Sequence, residues 1–80
     1  MNTMRAYEEV VEFIAAGTSP SGVVNFHPSE TVKERVAELI HREKSGAISP
    51  EEQSELDHYL ELEHLMRLAK ARARLHIANA

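Results

Sequence analysis

SPEEQSELDHYLELEHLMRLAKARARLHI, residues 49–77, decides the fold. It holds no glycine, and its one proline, Pro50, stands at the second place. Ser49 can accept from the Glu52 N–H while the Glu52 carboxylate reaches back, and proline suits the first helical position. The stretch predicts one helix of about 27 residues, roughly 40 Å long. From Glu51 to His64 it carries six acidic residues and no lysine or arginine. From Leu65 onward it carries Arg67, Lys70, Arg72 and Arg74 and no acid. That order complements the helix macrodipole. It also gives the chain a basic tip suited to an acidic partner or to nucleic acid.

The apolar residues of this stretch exceed what one face needs. Tyr59, Leu62, Met66, Ala69 and Ala73 recur at alternating spacings of three and four, a heptad seam. Leu56, Leu60, Leu65, Leu68, Leu75 and Ile77 lie beside or away from it. A helix apolar nearly all round is buried on several sides. Ala69, Ala71 and Ala73 permit close helix approach. The rest of the chain offers two shorter helices with narrow stripes, enough to cover one side. The remainder predicts a partner, either a second copy in a homo-oligomer (a dimer is favoured) or another protein. The expected partner-binding residues are Tyr59, Leu62, Leu65, Met66, Arg67, Ala69, Lys70, Arg72, Ala73 and Arg74.

Upstream, residues from Thr3 to Ala16 read as a helix. Tyr7, Val10, Val11 and Ile14 form its stripe, with Phe13 at the margin and Gly17 as the stop. Ser19-Pro20 repeats the cap-then-proline pattern, so residues 20–26 are a short helix or turn, although Gly22 and Val23-Val24 also suit an extended piece. Val23, Val24 and Phe26 point inward, and Phe26 is placed to staple the next helix. That helix opens at His27-Pro28-Ser29-Glu30, where proline as first helical residue favours His27 over Ser29 as cap. Val32, Val36, Leu39 and Ile40 form its stripe, and Gly46 ends it. The architecture expected is all-α, a single domain over residues 1–80. Helices at about 28–45 and 3–16, with the short connector, pack on one long C-terminal helix at about 50–77.

Eighty residues allow one thin core, often completed by oligomerisation. Cysteine is absent, which excludes disulfides, cysteine-based zinc sites and Cys/His catalysis. Met1 to Arg5 lacks the pattern of a secretory signal, and no apolar run approaches membrane-spanning length, so a cytoplasmic location is expected.

Chemistry-bearing constellations are few. Glu55-Leu56-Asp57-His58 and Glu61-Leu62-Glu63-His64 both read E-x-x-H, the spacing that supplies carboxylate and imidazole ligands in di-iron helical bundles. Glu55, His58, Glu61 and His64 are the metal candidates, and bridging carboxylates would come from Glu8, Glu9, Glu12, Glu34 or Glu38. Frequent glutamate on the helix explains the matches more simply, and no cofactor is expected. His27, His41 and His76 are scattered, and Gly17, Gly22 and Gly46 make no phosphate loop. For nucleic acid, Arg67, Lys70 and Arg74 fall near one face and Arg72 opposite, with no aromatic among them to stack bases. The net charge of -4 also counts against that reading.

Phe26-His27-Pro28-Ser29, Arg35-Val36-Ala37-Glu38-Leu39-Ile40, Gly46-Ala47-Ile48-Ser49-Pro50-Glu51-Glu52, Glu55-Leu56-Asp57 and Ala69-Lys70-Ala71-Arg72 stand in this order. Over residues 7–75 they resemble a group of small, antitoxin-like helical proteins of bacteria, common in cyanobacteria. Their shared pattern is F-x-P-S, R-V-x-x-L-I, G-x-L-S-P-E-E-x-x-E-L-x-x-Y and A-K-A-R. Ile48 stands where the pattern has leucine. The resemblance implies a non-enzymatic protein-interaction module whose partner is a protein such as a small nuclease toxin. A DNA-binding region of the ribbon-helix-helix or AbrB kind is missing from the sequence.

Overall fold

The computed structural model describes residues 5–79. Four helices follow one another: α1 (Ala6–Ala15), α2 (Pro20–Val24), α3 (Glu30–Ser45) and α4 (Pro50–Ala78). The described residues contain no strand, as an all-α bundle requires. The expected start of the first helix, Thr3, lies outside the described residues. Each shorter helix packs on α4, which forms the long axis of a body 48 × 28 × 18 Å.

Residues 46–49 fold α3 back on α4 as an antiparallel hairpin. Gly46 ends α3 at φ 77°, a left-handed conformation, and the Ala47 N–H donates to the Arg42 carbonyl at 2.9 Å. A Cβ added at Gly46 would meet nothing within 4 Å, so only the backbone conformation resists another residue there. Gly46→Ala is therefore expected to lower stability by about 1 kcal/mol, read from thermal melts. Ser49 then caps α4. Its hydroxyl accepts from the Glu52 N–H at 3.1 Å, and its own N–H donates to Glu52 Oε1 at 3.0 Å. The capping box read from the sequence is in place.

Leu39 of α3 and Leu56 of α4 are both fully buried. Leu56 was expected among the apolar excess of the long helix. It is a core residue instead, because the hairpin closes over it. The main cluster lies further along α4. Ala6 and Val10 of α1, Val32 of α3, and Tyr59 and Met66 of α4 are buried together, with Tyr7, Phe13, Val23, Phe26, Val36 and Leu62 packed against them.

Three local expectations change. α1 turns Ala6, Val10 and Phe13 inward and leaves Val11 and Ile14 each 47% exposed. Ala6 is small enough to lie against α4, and that rotates the inner face away from Val11. The cap of α3 is Ser29, not His27, because the Ser29 hydroxyl can accept from the Val32 N–H, at 3.3 Å. Pro28 thus precedes the cap, and Phe26 is too far back to staple α3. It stacks on Phe13 instead, with ring centroids 4.5 Å apart. Residues 20–24 keep the short helix expected there, since the Ser19 hydroxyl accepts from the Gly22 N–H at 3.1 Å.

Candidate interaction surface

α1 runs in the same direction as α4. The Ala6 N–H donates to Glu55 Oε2 at 2.9 Å, and Tyr7 lies 5.2 Å from His58, ring to ring. α2 covers the next length of α4, and Lys70 Nζ donates to the Phe26 carbonyl at 2.8 Å. Together they cover the seam expected to bind a partner. Tyr59, Met66 and Ala73 are only 4%, 6% and 5% exposed, and Leu62 and Ala69 are half-buried. Tyr59, Met66 and Ala73 are therefore largely covered by the chain's own helices. The five residues of α2 supply cover that a reading by helix length undervalued.

What stays outside is the opposite side of α4. Leu60, Leu65, Leu68 and Leu75 are 43%, 50%, 57% and 56% exposed. At roughly 100° per residue, Leu65, Leu68 and Leu75 fall within about 80° of one another and about 100–180° from the buried seam. Ile77 lies in line with Tyr59 but is 47% exposed, because the shorter helices stop before it. Val11 and Ile14 add apolar surface on the edge of α1 that Tyr7 turns toward His58. Single exposed leucines are ordinary, but three along one side of one helix make a patch.

The basic residues are divided. Lys70 is held by the Phe26 carbonyl, and Arg67 pairs with Glu63 at 3.6 Å. Arg72 and Arg74 form no ion pair among the described residues. A cleft of about 260 Å³ opens beside Arg67 and Lys70, floored by Val10, Phe26, Tyr59 and Met66. Burial, with Glu63 and Glu9 nearby, pushes the Tyr59 hydroxyl above its ordinary pKa.

The metal candidates are not gathered. Successive steps of three residues turn about 60° short of a full circle, so Glu55, His58, Glu61 and His64 spiral around α4. Glu55 is also engaged elsewhere. Its Oε2 accepts from Arg35 Nε at 3.2 Å and from the Ala6 N–H, and its Oε1 accepts from Arg35 Nη2 at 2.9 Å. The bidentate Arg35 contact, more than the Ala6 N–H, holds its carboxyl below the usual range against the opposing effect of burial. His58 Nδ1 lies 2.7 Å from the Ser54 carbonyl, and Glu61 and His64 are exposed. No group of three or more potential ligands is close enough to hold a metal among the described residues.

The Arg35–Glu55 pair is what a motif search misses. A signal was present, since Glu55 stands four residues before Tyr59 and eleven before Met66, on the buried seam. A carboxylate there needs a cation. Glu52 extends the network, accepting from Arg42 and lying 4.0 Å from Arg35. The Ser49 N–H, foremost, lowers its pKa.

The fold and this surface define a small all-α protein whose long helix shows its neighbours one side and solvent the other. Compared with protein-family models, curated proteins and solved structures, the chain gives no match in any of the three. No helix among the described residues is long and apolar enough to cross a membrane.

Proposed function

We infer that the protein is a small non-enzymatic, antitoxin-like interaction module of the bacterial cytoplasm, acting through the outward side of α4. The observation that carries this reading is the leucine patch of Leu65, Leu68 and Leu75, each at least half exposed on the side that the chain's own helices leave uncovered. Arg72 lies beside it without an acidic partner among the described residues, and suits a carboxylate on a protein partner. The antitoxin-like character rests on the sequence resemblance, and the surface supplies the means.

The test isolates tagged protein from its native cell, wild type against a Leu68→Glu, Leu75→Glu variant. Both leucines are more than half exposed, so the variant should keep its helical circular dichroism. A stoichiometric protein partner with the wild type, lost with the variant, is the expected result. Buried against that partner, the two carboxylates would weaken binding by several kcal/mol. A wild type that carries neither another protein nor untagged copies of itself, or a folded variant that retains its partner, overturns the reading.

A further inference from the structure

We propose that the outward side of α4 pairs with the same side of a second copy, the two helices running antiparallel. This rests on the reading of that side as an interaction surface and specifies the occupant. His58, Glu61, Leu65, Leu68, Arg72 and Leu75 recur at alternating spacings of three and four, the heptad pattern of a helix seam. All six are exposed. Neither Glu61 nor Arg72 forms an ion pair among the described residues. The seam thus has leucines at its centre, an unpaired acid toward one end and an unpaired base toward the other.

A two-fold axis between Leu65 and Leu68 makes the pattern complementary to itself. Leu65 falls against Leu68 of the second copy, Glu61 against Arg72, and His58 against Leu75, and symmetry repeats each contact. Parallel pairing in register would set Glu61 against Glu61 and Arg72 against Arg72, repulsive layers inside the seam. The acidic first half and basic last third of α4 favour the same orientation over the whole helix. The charges therefore choose the direction, and the leucines supply the contact.

Sedimentation equilibrium of the full chain across the micromolar range should show a reversible monomer–dimer equilibrium. Glu61→Arg and Arg72→Glu alone should each weaken the dimer at least tenfold, about 1.4 kcal/mol. The combined Glu61→Arg, Arg72→Glu variant should restore it. Orientation is read from disulfides, because the chain has no cysteine of its own. A mixture of Glu61→Cys and Arg72→Cys chains should cross-link 61 to 72 in preference to 61 to 61. A monomer at every concentration, predominant 61-to-61 and 72-to-72 cross-links, or no rescue in the double reversal overturns the proposal. A monomer that still holds a different protein through Leu68 and Leu75 overturns self-pairing and leaves the interaction module standing. Loss of both overturns both.

Discussion

Glu55→Ala is expected to lower the unfolding free energy by roughly 2–3 kcal/mol. The substitution removes both hydrogen bonds to Arg35 and leaves the Ala6 N–H, the first of α1, without its acceptor. Glu55 is 6% exposed, so neither loss is made good by water at that position. Arg35 keeps 32% of its side-chain surface in solvent and partly rehydrates, which holds the cost below that of a fully enclosed pair. The same carboxylate gives a pH signature. Its folded pKa is depressed, so its contribution is complete above the ordinary carboxylate value of about 4.3 and is lost as pH falls through the folded value. Urea denaturation followed by circular dichroism from about pH 7 to about pH 2 checks both points. Glu55→Gln should lose stability at neutral pH and show a shallower acid limb than the wild type. Wild-type midpoints for both variants at neutral pH would contradict the assignment.

The second large effect is expected at Leu56. Leu56→Ala should cost roughly 3 kcal/mol and lower the melting temperature by roughly 12–24 °C. Leu56 is 0% exposed, as is Leu39 of the helix that folds back on α4, so the cavity has few ways to collapse. Leu68→Ala removes the same atoms from the same helix. At 57% exposure it should change monomer stability by less than about 0.5 kcal/mol, measured where the chain is dilute. The contrast within one helix is the informative result. Similar losses at both positions would mean that the side of α4 carrying Leu68 is covered within the monomer.

The helical order was legible because its punctuation is chemical. Ser49-Pro50 with Glu52, and glycines after α1 and α3, act within a few residues of themselves. Which apolar residues meet which was harder. α1 carries two overlapping stripes, Ala6-Val10-Phe13 and Tyr7-Val11-Ile14, and the stripe read from hydrophobicity, Tyr7, Val10, Val11 and Ile14, straddles them. The choice is made by α4, against which alanine allows a closer approach. On α4 the excess of apolar surface was legible, but not which part of it. Tyr59, Met66 and Ala73 fall to the chain's own helices, and Leu65, Leu68 and Leu75 do not. That division depends on α2, whose five residues carry too little pattern to announce how much they cover. The Arg35–Glu55 pair spans 20 residues of sequence and touches a third element, so no local motif encodes it.

α4 outruns its neighbours, and Ala73 is its last buried residue. Beyond it the helix is held only by its own ladder of backbone bonds, and a short length of helix so held is marginal in water. One continuous helix therefore spans a gradient of local opening free energy. Near Leu56 an amide is released only when the whole domain unfolds, and near Ala78 the cost falls toward zero. The leucine patch straddles that gradient, with Leu65 over the clamped part and Leu75 over the free end. Whatever covers the patch must also still its far end, and the entropy lost in doing so offsets part of the contact.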